Sequence, residues 1–392
     1  MRELVVIDKL NMGGVTSSLL NYLDYASRYH QIDLLVFSNV VDSSGMPGNI
    51  KLLKSPSLLT LFGFSQKEVE EKSKIWGLLR GMMAVGSKLF GGHYIRQILF
   101  SFIRSVGDYD VAISYTHDVS WKSLTTGCND FVLQKVNAKY KISFVHCDYK
   151  LFGGYDKRGT KIYNGFNTIV CVSNGCKKSF VECFPALDSK TVVCENFIDI
   201  AKINASAEPA EPFINKEFKL VTVCRVEEQK GVYRIIEVAE RLKEEGFDNF
   251  VWRIVGDGPD LNNIKEKVAE TGLEDVIDIV GQQNPPYRFI NGATLFVLPS
   301  FHEAAPMVFG ECRVLGVPVL STRTTSADEL LTERGAGFVC ENNTDAIYES
   351  VKDVVSGKKT LPIIGEDMSA KTNVQAENDY RLLNDRIERS LS

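Results

Sequence analysis

TLFVLPSFHEAAPMVFGECRVLGVPVLS, residues 294–321, decides the architecture. Residues 294–298 form a short apolar run of the kind buried in a parallel sheet. Residues 304–315 have helical apolar spacing, and 318–321 is a second buried strand. Strand, helix and strand in so short a span make one βαβ unit. The same rhythm continues on both sides. Upstream lie strands at 219–224, 250–255 and 276–280, with helices at 231–245 and 261–271. Downstream come a helix at 327–331 and a strand at 337–339. The N-terminal half repeats the pattern, with strands at 4–8, 32–38, 111–114, 141–146, 168–173 and 192–194. Its helices lie at 16–29 and 174–183.

The expected fold is therefore α/β, with two Rossmann-like doubly wound domains facing each other across a cleft. A first domain at 1–198 is followed by a linker at 199–216, where AKINASAEPAEPF is polar, proline-containing and aperiodic. A second domain covers 217–368. A polar helix at 369–392 is expected to pack back across the domains. The total of 392 residues agrees with two units, since one core rarely grows past roughly 250–300 residues.

Composition excludes several classes. Apolar residues make up 44% and charged residues 24%, which is globular. The net charge of -5 argues against bulk nucleic-acid binding. Nine cysteines occur singly, many inside apolar runs such as TIVCVS and LVTVCRV, with no CxxC pair. They read as small buried hydrophobes in a reducing compartment. MRELVVIDKL is too charged for a signal peptide, and no run reaches the ~18 apolar residues of a membrane span. A cytoplasmic protein is expected, with lipid met only at its surface.

Candidate site residues cluster at strand exits. Of five histidines, His117, His146 and His302 each follow a strand-like run. Gly13 and Gly14 stand where strand 1 turns into helix 1, where backbone N–H groups can approach a phosphate. A plain tight turn explains them equally. Neither GxGxxG nor GxxxxGK[ST] is present, which weakens a dehydrogenase or P-loop reading. In CRVEEQKG, Arg225 and Lys230 bring two cations to a strand exit, as a diphosphate requires, although a solvated loop would look the same. Glu303 and Glu311 lie eight residues apart, about 80° around a helix. Carboxylates accept hydrogen bonds from sugar or ribose hydroxyls. Backbone N–H groups across Ala304, Ala305, Met307 and Val308, with Pro306 between, would be free for oxygens.

In this order the residues resemble the retaining GT-B glycosyltransferases of family 4, the glycosyl transferases group 1. The likeness runs through Gly13-Gly14-Val15, FVHCDY at 144–149, VCVSNGC at 170–176 and ENFID at 195–199. It continues through CRVEEQKG, VGDGP at 255–259, and PSFHEAAPMVFGE with its E-x7-E spacing. Two positions depart from the pattern: Cys224 stands where a glycine is usual, and Ala304 follows Glu303 where glycine is frequent.

The resemblance implies transfer of a sugar from a nucleotide-diphosphate donor, a UDP-sugar being favoured, to a glycan or glycolipid hydroxyl. Arg225 and Lys230 would hold the diphosphate, Glu311 the ribose, and Glu303 with Ala304–Val308 the donor sugar. His146 would lie near the reacting centre, and Gly13 and Gly14 near the diphosphate. Backbone at 281–285 would face the base. No cofactor or metal is implied, and no Asp-x-Asp motif stands at a strand end. A nucleotide-sugar 2-epimerase and a non-catalytic carbohydrate-binding scaffold remain alternatives.

One segment has a different character. Residues 72–107 hold six Lys or Arg and no Asp or Glu. Arg80, Lys88, Arg96 and Arg104 recur about every eight residues, which suits a basic stripe on broken helices. Attachment to the anionic inner face of the cell membrane is one reading, with a lipid-linked acceptor in cell-surface polysaccharide assembly. Core helices with solvated basic edges are the other.

Overall fold

The computed structural model describes residues 1–11, 13–38, 45–117, 122–151 and 157–392. The described chain forms two compact units. One comprises 1–197 together with 375–392, and the other 198–374.

The first unit is a parallel sheet of seven strands. These are β1 (Arg2–Ile7), β2 (Gln31–Val36), β3 (Lys51–Leu53), β4 (Val106–Ser114), β5 (Val136–Val145), β6 (Thr168–Cys171) and β7 (Thr191–Val193). Their order is β3-β2-β1-β4-β5-β6-β7. The second unit holds β8 (Phe218–Val223), β9 (Phe250–Val255), β10 (Ile277–Gly281), β11 (Leu295–Leu298), β12 (Val319–Thr322) and β13 (Gly337–Cys340), in the order β10-β9-β8-β11-β12-β13. All pairings are parallel.

Parallel strands are buried on both faces, which is why they read as unbroken apolar runs. In β1, Val5 and Ile7 join Tyr22 and Leu23 of the Gly14–Ala26 helix, while Leu4 and Val6 face Phe100 and Phe131. In β8, Leu220 and Val221 divide in the same way between two cores. Each such side chain contributes about 1.5–3 kcal/mol by leaving water.

The expected strands are present, with one addition. The edge strand β3 was not anticipated, because three residues, KLL, are too few to show a period. The segment expected as a linker, 199–216, is partly helical. Asp199 caps the Ile200–Ala207 helix through the Lys202 N–H at 2.9 Å. Ile203, one turn before Ala207, packs against Val314 of the second unit. The chain therefore changes units at 197/198 and returns at 374/375. The expected terminal helix is two helices, Glu366–Ala370 and Val374–Leu391. The second buries Ala376, Tyr380, Leu383 and Ile387 in the core of the first unit.

The basic stripe is the largest correction. Residues 74–90 and 92–101 form helices, as expected for broken segments. Two of the four stripe residues, however, point inward. Arg80 donates to the Leu61 carbonyl at 3.0 Å and to Gln66 Oε1 at 3.1 Å. Arg96 is fully buried and donates to Asp130 Oδ2 at 2.6 Å and to the Ser123 carbonyl. His93 Nδ1 lies 2.6 Å from the other Asp130 oxygen. Burial opposes ionisation of Asp130, but Arg96 and His93 outweigh it and hold the carboxyl below its usual range. Spacing alone does not distinguish a solvent-facing cation from one that reaches a carboxylate some thirty residues away.

A buried cation that loses its partner is costly. Asp130→Ala is therefore expected to destabilise the protein by about 3–5 kcal/mol, read from the urea midpoint of the full chain. A shift of under ~1 kcal/mol would contradict this account of Arg96.

Candidate active site

Each sheet reverses its direction of growth once, between β1 and β4 and between β8 and β11. Loops leaving neighbouring strands diverge there, and open α/β sheets bind ligands at such points. The singled-out residues lie at or beside these exits.

In the second unit, CRVEEQKG leaves β8 and Glu303 follows β11. Gly231 makes their meeting possible. Its φ is 71°, and a Cβ there would sit 2.0 Å from the Pro299 carbonyl oxygen. Glycine alone tolerates both. Phe301 N–H also donates to the Gln229 carbonyl at 3.0 Å. Seated this way, Lys230 Nζ donates to Glu303 Oε1 at 2.8 Å, and Ser300 Oγ donates to the same oxygen at 2.7 Å. The side chains of Lys230 and Glu303 are 24% and 13% exposed, so solvent screens this pair less than a surface bridge. The sequence reading gave Lys230 and Glu303 to different parts of a ligand; the fold makes them direct partners. Ser300 was not foreseen, although a hydroxyl three residues before a carboxylate was its visible signal.

Arg225 is placed differently. Its side chain is 68% exposed and pairs with Glu227 at 3.3 Å. Cys224 lies just past the end of β8, its N–H bonded to the Val255 carbonyl at 3.1 Å, and burial pushes its thiol up to about 12. The glycines of VGDGP are also explained by packing. A Cβ on Gly256 or Gly258 would lie 1.9 Å from the Cys224 oxygen or 2.2 Å from the Val226 oxygen.

The helix expected at 304–315 runs over Met307–Val314, with extended Pro306 as its N-cap residue. Proline disfavours helical geometry in the residue before it. Glu303, Ala304 and Ala305 thus belong to a loop, and the 80° rotation between Glu303 and Glu311 does not apply. Met307 and Val308 lie in the first turn, where N–H groups lack intrahelical partners. Glu311 lies one turn further on and hydrogen-bonds Tyr287. Burial pushes its carboxyl up to about 7, against the pull of Lys202 and that hydrogen bond. Tyr287, at the start of the Tyr287–Ile290 helix, was also missed; its cue was an aromatic hydroxyl after a proline pair. The 281–285 segment leaves the end of β10, and His302 is exposed.

In the first unit, Gly13 precedes the Gly14–Ala26 helix with φ 154°, and no described atom lies within 4 Å of where its Cβ would be. Glycine is therefore needed there for its backbone angle, not for want of room. His146 follows β5. Its ring lies 4.8 Å from that of Tyr115 and 5.8 Å from that of Phe144. Its backbone N–H donates to His117 Nδ1 at 3.4 Å. His146 Nε2 is buried and has no hydrogen-bond partner among the described residues. Burial, with His117 adding to it, pushes its pKa down to about 3; burial alone takes His117 to about 4. Both rings are thus neutral at pH 7. Tyr115 is tied to Ser18 at 2.8 Å, and Ser18 donates to Asn196 of ENFID at 2.6 Å. Among the described residues, no group of three or more His, Cys, Asp or Glu is placed to hold a metal ion.

Comparison with known proteins agrees with this geometry. Residues 205–369 match the model of the glycosyl transferases group 1 family. An uncharacterised glycosyltransferase of Methanocaldococcus jannaschii is 29% identical over 224 residues, which is 55% of this chain and 54% of that protein. The amylovoran biosynthesis glycosyltransferase AmsK of Erwinia amylovora is 26% identical over 190 residues, 45% of this chain and 46% of its own. The chain thus spans about half the length of the curated relatives it matches. Among solved structures, a glycosyltransferase of Rickettsia africae superposes with a TM-score of 0.67 at 16% identity, covering 100% of this chain and 98% of that one. Anabaena HepE, solved in complex with UDP, gives 0.64 at 14% identity over 100% and 99%. The fold is that of the GT-B enzymes, and within the second unit residues 205–369 are similar to the glycosyl transferases group 1 family.

Proposed function

We propose that the protein transfers a glycosyl unit, with retention of configuration, from a nucleotide-diphosphate sugar to a hydroxyl of a glycan or lipid-linked saccharide. The observation that carries this reading is the Lys230–Glu303–Ser300 cluster at the β8/β11 switch point of the family domain. The departing nucleoside diphosphate gains negative charge as the glycosidic bond breaks. Lys230 and the N–H groups at the start of the 307–314 helix supply fixed positive charge for it, and exposed Arg225 adds a further cation. That assignment calls on no metal.

Glu303 is better suited to a donor-sugar hydroxyl than to covalent attack, because Lys230 and Ser300 already hold one of its oxygens. Glu311 suits ribose hydroxyls. His146, neutral and with a free Nε2, suits a sugar hydroxyl near the reacting centre. A UDP-sugar is the favoured donor; HepE, of the same fold, was solved with UDP and with UDP-glucose. Curated relatives carry names from amylovoran, colanic acid and capsular polysaccharide biosynthesis, which favours cell-surface polysaccharide assembly as the setting. Cytoplasmic placement, peripheral on the inner face of the membrane, belongs to the same proposal.

The direct test is a screen of UDP-, GDP- and ADP-sugars for binding and acceptor-dependent release of nucleoside diphosphate. Release is expected with one nucleotide class. An epimer formed from UDP-N-acetylglucosamine without acceptor would instead establish the 2-epimerase alternative. Lys230→Ala is expected to weaken nucleoside-diphosphate affinity by about 10–100-fold, the size of a lost charge-assisted contact; unchanged calorimetric affinity would overturn its role.

Glu311 predicts a pH dependence with a definite sign. Its carboxyl is raised to about 7 in the folded protein, so below that pH it keeps a proton that the unfolded chain has already released. Its contribution to stability therefore falls as pH rises from the usual carboxylate range to about 7, then levels off. Ionised Glu311 is the better acceptor for ribose. Affinity for a nucleotide sugar, whose diphosphate diester does not titrate near neutrality, should rise between pH 6 and 8. Glu311→Gln should flatten that profile; a variant that kept the wild-type slope would refute the assignment.

A further inference from the structure

Among the described residues, ten of the eighteen large hydrophobic side chains that stand exposed lie between Ile75 and Phe102. They sit on the Lys74–Phe90 and Gly92–Ser101 helices of the first unit and at the end of the second helix. Ile75, Leu78, Met82, Val85 and Leu89 are 58–81% exposed. At 100° per residue they occupy an arc of about 80°. The opposite side of that helix carries its buried residues, Gly77, Arg80, Met83 and Ser87. The second helix repeats the arrangement, with Tyr94, Ile98 and Phe102 outward and Arg96 and Phe100 inward. The usual partition is thus partly inverted. Two arginines are satisfied internally, by Leu61, Gln66, Ser123 and Asp130, while a run of apolar side chains faces out. Contiguous apolar patches of this kind mark an interaction surface.

The charges name the occupant. Exposed Lys72, Lys74, Lys88 and Arg104 accompany the apolar face, and no Asp or Glu occurs from 72 to 107. Lys74 and Lys88 fall beside the apolar arc on the same flank. A second copy of this face would set cations against cations. An anionic lipid surface satisfies both features, with headgroups for the lysines and acyl chains for the leucines. The helices cannot cross the bilayer, because their other faces are committed to the core of the first unit. Among the described residues, no helix is long and apolar enough to span.

We infer that these two helices lie in the plane of an anionic membrane with the Ile75–Leu89 arc inserted among the lipids, and that Arg80 and Arg96 are structural and not lipid ligands. The inference rests on the peripheral placement proposed above and replaces its basic stripe with an apolar face. Binding is driven by insertion and assisted by charge, so salt weakens it without abolishing it.

The test is sedimentation of the full chain with vesicles of phosphatidylglycerol and phosphatidylcholine, and with phosphatidylcholine alone. The wild type should sediment with the anionic vesicles and retain part of that binding in high salt. Leu78→Gln, Met82→Gln and Leu89→Gln combined should lower the partition coefficient by at least ~100-fold. Lys74→Gln with Lys88→Gln should lower it by about 10-fold and reduce the salt dependence. Circular dichroism and nucleoside-diphosphate affinity should be unchanged in both variants, so failure here is separable from failure of the donor assignment. The inference is overturned if the wild type ignores both vesicles or if the triple variant sediments like the wild type. A dimer seen by analytical ultracentrifugation, lost in the triple variant and accompanied by no vesicle binding, would assign the face to a second copy instead.

Discussion

Much of the candidate site depends on one close approach. The loop leaving β8 can lie against the exit of β11 only because Gly231 carries no Cβ and accepts a φ of 71° beside the Pro299 carbonyl. β8 and β11 are neighbours in the sheet but lie far apart in the chain. Their contact joins Lys230 to Glu303 and Ser300, and it brings a cation to the foot of a loop that ends in a helix N-terminus. Without that approach the same residues would be a solvated charged loop and an unrelated carboxylate.

The candidate residues of the two units differ in character. The second offers charge: a partly shielded lysine, a helix start and a carboxyl raised by burial. The first offers a neutral imidazole. His146 is walled by Tyr115 and Phe144 and is kept unprotonated by burial. Such a ring exchanges hydrogen bonds without carrying a charge. The Ser18–Tyr115–Asn196 contacts tie the wall of this histidine to ENFID, so two motifs far apart in sequence share one hydrogen-bonded network.

The fold was largely legible because parallel strands, buried on both faces, write themselves as apolar runs. The expected strands all appear, and only the three-residue edge strand β3 was too short to register. Boundaries were less legible. AKINASAEPAEPF looked like a linker because its apolar residues are sparse, yet an Asp199 cap and the Ile203–Ala207 spacing suffice for a helix once Val314 covers it. The helix after Glu303 begins three residues late because Pro306 sets its start. Tyr287 and Ser300 were missed because each matters only through a carboxylate that the fold brings beside it.

The sequence by itself determined two α/β units, the strand exits where the candidate site residues stand, and the residue types found there. Those follow from local periodicity and from turn residues, which neighbouring positions encode. Only the tertiary structure decided which of those residues meet and which way the basic segment faces. Lys230 pairs with Glu303 through a glycine contact, Glu311 with Tyr287, and Arg96 turns inward to Asp130. The partner's position decides where each charge points, and no local pattern contains that position.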